Sequence, residues 1–77
     1  MNTDLINSTA MLIQRYLANR PDAADTLEGI HMWWVDWPRS PECMSVTLAA
    51  LEQLEADGFV ERVRIAGNEL WRRPRGD

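Results

Sequence analysis

The chain has 77 residues, of which 45% are hydrophobic and 26% are charged, and its formal net charge is −4 at pH 7. This balance is typical of a globular protein rather than of a disordered or strongly cationic chain, and the length predicts one domain over residues 1–77. The longest apolar run is shorter than the roughly 20 residues that cross a bilayer, and Asp4 precedes every basic residue. We therefore expect no membrane span, no secretory leader and a cytoplasmic location.

Single copies of two reactive residue types exclude several kinds of site. Cys43 is the only cysteine and His31 the only histidine, so neither an internal disulfide nor a Cys/His metal cluster can form, and no cofactor is expected. His31 lies beside Ile30 on an apolar helix face, which favours a packed side chain over a catalytic base. Glu42 opposes the effect of a nearby helix N-terminus on Cys43, for which a structural role is predicted. We predict no enzymatic activity.

A first helix is predicted over about residues 4–19. It should end before Pro21, which cannot continue a helix, and Asn2 or Thr3 can serve as its cap. A strand between the first two helices would have to fit within residues 21–25, so it is predicted to be short or missing. Eight residues form the apolar stripe at helical spacing: Leu5, Ile6, Thr9, Ala10, Leu12, Ile13, Tyr16 and Leu17.

A second helix is predicted over about residues 26–35. Asp25 and Glu28 have the spacing of a capping box, which predicts a helix start at Thr26. The buried face of this helix would consist of Leu27, Ile30, His31 and Trp34.

A third helix is predicted over about residues 41–57. Ser40 is suited to the N-cap, Pro41 to the first helical position and Gly58 to the C-cap. A helical wheel turns one set of residues inward, with Cys43 and Ala50 at its edge: Met44, Thr47, Leu48, Leu51 and Leu54. The outward set is Glu42, Ser45, Val46, Ala49, Glu52, Gln53 and Ala56.

A β-hairpin is predicted over about residues 59–73, followed by a frayed tail at 74–77. Ala66, Gly67 and Asn68 form the predicted turn. At strand period, two sets of residues alternate along the first strand. One set is Phe59, Glu61, Val63 and Ile65, and the other is Val60, Arg62 and Arg64. Trp71, on the returning strand, is predicted to pack onto the helices.

The order of three helices and a hairpin resembles the winged helix-turn-helix family. The resemblance is most specific where Leu51-x-x-Leu54 is followed by Gly58-Phe59-Val60-Glu61-Arg62 and then by Asn68-Glu69-Leu70-Trp71-Arg72-Arg73. It implies a mainly α fold with a small β-hairpin (α+β), in which a two-stranded wing follows three helices.

The same resemblance implies a regulatory protein that binds double-stranded DNA, with the third helix in the major groove and the wing on the backbone. By position, the groove-facing residues would be Ser45, Ala49, Glu52 and Gln53. The wing contacts would be Arg62, Arg64, Arg72 and Arg73. Useful affinity would require a dimer, because a single half-site is a small footprint.

The distribution of charge keeps a different role for the hairpin open. Residues 1–57 hold nine carboxylates and three arginines, whereas residues 58–77 hold five arginines and three carboxylates. Glu42 and Glu52 would face the DNA polyanion. The hairpin arginines can alternatively form a solvated strand face in which they pair with Glu61 and Glu69.

Tryptophans supply the second functional hypothesis, a protein-interaction module or homodimer that does not bind DNA. Trp33 and Trp37 lie close together, with Met32 on the opposite face, and exposed tryptophan is frequent at protein-contact hot spots. The acidic face of the third helix would join this contact. Alternatively, both tryptophans close the bottom of a thin core.

Overall fold

The computed structural model describes residues 3–37 and 41–74 and shows three helical segments followed by an antiparallel hairpin. This arrangement confirms the predicted α+β fold class and is consistent with winged-helix topology. Residues 75–77 of the predicted tail and the candidate caps Asn2 and Ser40 lie outside the described residues. The elements are α1 (Thr3–Asn19), β1 (Ala24–Asp25), α2 (Leu27–Gly29), a π-helical turn (Ile30–Trp34), α3 (Met44–Ala56), β2 (Glu61–Ile65) and β3 (Asn68–Arg72).

Helix α1 has nearly the predicted bounds, and its apolar stripe faces the core. Thr9, Ala10, Ile13 and Leu17 are buried. The N–H of Arg20 still donates to the Tyr16 carbonyl at 2.9 Å, and the helix ends there because proline follows.

Strand β1 has only two residues, yet it sets the topology of the sheet. Ala24 lies opposite Arg72 and Asp25 opposite Trp71, so that β3 pairs with β1 on one side and β2 on the other. The sheet therefore has three strands in the order β1-β3-β2, all antiparallel. The sequence left this strand open as short or missing; the structure shows it present, paired along one edge of β3.

The second helix is a single α-helical turn that continues into the π-helical turn. Its N-cap is Thr26 rather than Asp25: the Thr26 hydroxyl oxygen accepts from the Gly29 N–H at 3.2 Å. Asp25 Oδ1 accepts from the Thr26 N–H at 2.8 Å. Both side chains thus satisfy backbone donors at the helix start, which the capping box predicted with its register one residue early.

Helix α3 begins later than predicted. Its first residue is Met44 and its N-cap is Cys43, so Pro41 does not occupy the first helical position. The predicted start was wrong because a serine-proline pair is compatible with a helix entry without requiring one.

The buried face of α3 also differs from the predicted one. Val46, predicted outward, is 4% exposed, and Met44, predicted inward, is 43% exposed. Ala50, predicted at the edge, is fully buried. These assignments were wrong because α3 packs against both α1 and the π-helical turn, and two neighbours bury a broader stripe than one face of a helical wheel.

Gly58 ends α3 as predicted. Its φ of 83° is the left-handed conformation that glycine adopts without strain. The Phe59 N–H donates to the Leu54 carbonyl at 2.8 Å, and that of Gly58 to Glu55 at 3.1 Å, as in a Schellman cap. Phe59 is 51% exposed and precedes β2, so the predicted strand start was two residues early.

A two-residue turn at Ala66 and Gly67 connects the hairpin strands. Ile65 pairs with Asn68, which belongs to β3 and not to the turn as predicted. The φ values of Ala66 and Gly67 are 53° and 82°, and a type I′ turn requires positive φ at both positions. In Ala66 the left-handed conformation is sterically unfavourable, because alanine has a Cβ and glycine does not.

Replacing Ala66 by asparagine is expected to raise the free energy of unfolding by about 0.5–1 kcal/mol, because asparagine tolerates the left-handed region and Asn-Gly favours a type I′ turn. Urea denaturation measures the change as a higher midpoint at unchanged slope. Ala18→Asn, an exposed position in α1, is the matched control and should lower the midpoint. A lower midpoint for Ala66→Asn would show that this turn is unstrained.

The core lies where the helices cover one face of the sheet. Trp71 lies in the central strand, is 1% exposed and packs into this core, as predicted. The buried cluster consists of Ala10, Ile13, Leu17, Ile30, Trp34, Val35, Ala50, Leu51, Leu54, Val60 and Trp71.

Candidate functional site

Arg62 connects the hairpin to α3 through its guanidinium. Nη2 lies 3.2 Å from Glu55 Oε1 and 3.9 Å from Glu52 Oε2, while Nη1 lies 3.5 Å from Glu69 Oε1. The guanidinium carbon is 4.3 Å from the ring centroid of Trp71, at cation–π distance. Arg62 therefore joins α3 to the hairpin through its ion pairs and its contact with the Trp71 ring.

The other hairpin arginines differ in how far they are neutralised. Arg72 Nε donates to Glu61 Oε2 at 2.7 Å, and Arg64 Nη2 lies 4.0 Å from Glu69 Oε2 with 74% of the Arg64 side chain exposed. Within residues 3–37 and 41–74, Arg73 has no carboxylate partner; it lines a cleft of about 360 Å³ with Phe59 and three residues of α1.

The hairpin consequently presents little net positive charge. Glu52, Glu55, Glu61 and Glu69 lie among its arginines. The predicted pairing of arginines with Glu61 and Glu69 is present, and α3 adds two carboxylates that sequence reasoning had not connected to the hairpin. Attraction to phosphate depends on net charge, so this arrangement weakens the electrostatic basis for DNA binding.

The four predicted groove-facing residues do not form one free face. Ser45 is exposed and Ala49 is half-buried. Glu52 reaches Arg62, and Gln53 Nε2 donates to Asn7 Oδ1 on α1 at 3.0 Å. Two of the four side chains are therefore engaged by neighbouring elements. Asn7 was not predicted to take part.

Cys43 is exposed at the N-terminus of α3 and so does not contribute to the core, contrary to the predicted structural role. Its Sγ lies 2.9 Å from Ser45 Oγ. Hydrogen bonding from the Ser45 hydroxyl, supported by backbone N–H groups at the helix start, lowers the pKa of the Cys43 thiol and outweighs desolvation.

Ser45→Ala is expected to slow alkylation of Cys43 by iodoacetamide at neutral pH. A lowered pKa populates the reactive thiolate at lower pH, so removal of the Ser45 donor should move the pH midpoint of alkylation upward. Ser8→Ala, an exposed serine of α1, is the matched control and should leave the profile unchanged. Identical profiles for wild type and Ser45→Ala would contradict the assigned cause.

The Trp33 surface, defined as Met32, Trp33 and the exposed part of Trp37, lies on and beside the π-helical turn. Trp33 is 78% exposed and Met32 is 54% exposed. Trp37 is half-buried, and its Nε1–H donates to the His31 carbonyl at 2.8 Å. Trp37 therefore belongs partly to the core, which matches one of the two predicted roles, whereas Trp33 remains uncovered.

Buried contacts fix the turn that carries this surface. His31 is 5% exposed, as predicted for a packed side chain, and its Nδ1 lies 2.7 Å from Thr47 Oγ1 on α3. Trp34 stacks on Tyr16 of α1 with ring centroids 4.6 Å apart and an interplanar angle of 13°. The turn is thus attached to α3 on one side and to α1 on the other.

A second cleft, of about 270 Å³, lies between the C-terminal half of α1 and the π-helical turn. Arg20 lies over the Tyr16 ring, with its guanidinium carbon 4.8 Å from the centroid. In the described part of the chain neither Arg15 nor Arg20 pairs with a carboxylate. Sequence reasoning missed this cleft, although two arginines around an aromatic residue at a helix end were a visible signal. Its lining is Leu12, Arg15, Tyr16, Asn19, Arg20, Trp34 and Asp36.

Fold and surfaces together define a winged-helix-like α+β domain with arginines on its hairpin. Comparison with known proteins finds no match among protein families, curated proteins or solved structures. The residues that the structure describes contain no helix long and apolar enough to span a membrane, and no group of three metal-ligating side chains.

Proposed function

We propose that this chain is a small protein-docking module that binds a protein partner through the Trp33 surface. The observation that carries the proposal is the 78% exposure of Trp33 beside the 54% exposure of Met32. Tryptophan is enriched among the residues that dominate binding energy at protein contact sites, and Trp33 is the most exposed large hydrophobic residue in the described part of the chain.

The support beneath the surface strengthens this proposal. Ile30, His31 and Trp34 of the same turn are buried and hold the backbone of Met32 and Trp33 in place. A side chain on a pre-organised backbone loses less conformational entropy when a partner covers it. The proposal assigns no catalytic role to the chain.

Duplex DNA binding is the second candidate. The winged-helix-like topology supports it, as does Arg64, whose side chain is 74% exposed beside a single ion pair of 4.0 Å. Exposed ion pairs contribute only about 0–1 kcal/mol, so a phosphate can replace Glu69 as its partner. In this candidate function α3 would lie in the groove and the hairpin arginines on the backbone.

Affinity capture with matched baits separates the two candidates. Wild type, Trp33→Ala and Arg64→Glu are immobilised, and a partner retained by wild type is then purified and its binding remeasured. We expect Trp33→Ala to weaken that binding by at least about 2 kcal/mol, roughly thirtyfold, and Arg64→Glu to leave it nearly unchanged, with little dependence on salt. Sedimentation velocity of the same variants identifies self-association as the alternative partnership.

A titration of duplex DNA, followed by fluorescence anisotropy at about 20 mM salt, tests the DNA-binding candidate. Screening of charges is weak at this salt concentration. Steeply salt-dependent binding that Arg64→Glu abolishes and Trp33→Ala preserves would favour the DNA function. Equal partner binding by wild type and Trp33→Ala would refute docking through the Trp33 surface.

A further inference from the structure

The cleft between α1 and the π-helical turn carries chemistry that neither docking nor DNA contact uses. Arg15 and Arg20 both line it, and in the described part of the chain neither has a carboxylate partner, although three hairpin arginines do. We propose that this cleft is a binding site for a small aromatic carboxylate.

Arg20 is pre-positioned for such a ligand by ring stacking. Trp34 lies parallel to one face of Tyr16, with 4.6 Å between ring centroids. The guanidinium carbon of Arg20 lies over the same ring, 4.8 Å from its centroid. A guanidinium held in a stack loses less freedom on binding than a free one, while its N–H edges stay available to an acceptor.

The chemistry of the wall selects the ligand class. A planar guanidinium donates two parallel hydrogen bonds to a carboxylate, a geometry that a neutral amide of the same shape cannot accept. Leu12 and Tyr16, both half-buried, supply apolar and aromatic surface in the same cleft, and Trp34 lines it while only 6% exposed. A carboxylate attached to a flat apolar body satisfies both parts of the wall.

Asp36 gives the proposal a test of opposite sign. It lines the same cleft without forming an ion pair with either arginine. Its negative charge repels an incoming anion, so its neutralisation should strengthen binding, whereas loss of the Arg20 charge should weaken it.

The test is a titration of the ¹⁵N-labelled full chain with sodium benzoate at constant ionic strength, followed by NMR at the Trp34 indole N–H and the Arg20 Nε–H. Saturable shifts at both groups are expected. Arg20→Gln should weaken binding at least about tenfold, as expected for loss of a charged hydrogen-bond partner. Asp36→Asn should tighten it. Arg64→Gln, on the hairpin and outside the lining of the cleft, is the control and should leave binding unchanged.

Three results would overturn the proposal. Equal binding of benzamide and benzoate would show that the cleft recognises the apolar ring and not the carboxylate. Inorganic phosphate that binds as well would remove the aromatic preference. Shifts that rise linearly, or that Arg64→Gln reduces as much as Arg20→Gln, would reveal general ion attraction only. If Arg20→Gln does not fold, Arg20→Lys replaces it, because lysine keeps the charge and removes the planar fork. Undiminished benzoate binding by Arg20→Lys would then show that the fork does not hold the carboxylate.

Discussion

Trp71→Ala is expected to lower the free energy of unfolding by about 3–5 kcal/mol, the range for removal of a buried aromatic side chain. Trp71 is 1% exposed, lies in the central strand and supports the guanidinium of Arg62 at 4.3 Å. A chain of this length has a total stability of about 4–12 kcal/mol and, being small, should lie toward the lower end. A large unfolded population at room temperature is therefore expected.

Trp33→Ala is the matched control, because the same atoms are deleted at a position that is 78% exposed. It should change the free energy of unfolding by no more than about 0.5 kcal/mol. Chemical denaturation followed by far-ultraviolet circular dichroism measures both variants without relying on tryptophan fluorescence. Comparable losses in the two variants would contradict the assignment of Trp71 to the core and of Trp33 to the surface.

Thr47→Val is expected to lower the free energy of unfolding by about 1–3 kcal/mol although it preserves shape. Thr47 is fully buried, and its hydroxyl lies 2.7 Å from Nδ1 of His31, which is 5% exposed. Valine removes this partner and leaves a buried imidazole nitrogen unsatisfied, with no compensating gain in packing.

Thr47→Ser is the control for this pair, since it keeps the hydroxyl and deletes only a methyl group. Denaturant midpoints should fall further for Thr47→Val than for Thr47→Ser. A double-mutant cycle with His31→Phe measures the coupling directly, and the effect of Thr47→Val should largely disappear in the His31→Phe background. Equal effects in both backgrounds would show that the hydrogen bond contributes nothing.

Local patterns were sufficient for most of the fold. The stripe ending at Leu17 and the proline after Arg20 predicted α1 almost to the residue, because propensity and a chain break act over one or two turns. Gly58 predicted the end of α3 for the same reason, since its φ of 83° is a local requirement. Alternation and a glycine turn were enough to predict the hairpin.

Errors occurred where a neighbouring element decides the outcome. The burial of Val46 and the exposure of Met44 depend on how α3 is rotated against α1 and the π-helical turn. A helical wheel assumes one buried face, whereas α3 packs against two elements. The predicted buried stripe of α3 was therefore too narrow. β1 could not be established either, because a two-residue strand exists only through its pairing with β3.

The candidate sites show the same division. Sequence by itself determined that a cluster of tryptophans and a group of hairpin arginines exist, since both are properties of residue order. Only the tertiary structure decided that Trp33 is uncovered while Trp34 stacks on Tyr16. It also brought glutamates of α3 to Arg62 and left Arg20 without a carboxylate in the described part of the chain. Exposure and charge pairing depend on distances between residues far apart in the chain, and packing of the helices on the sheet sets those distances.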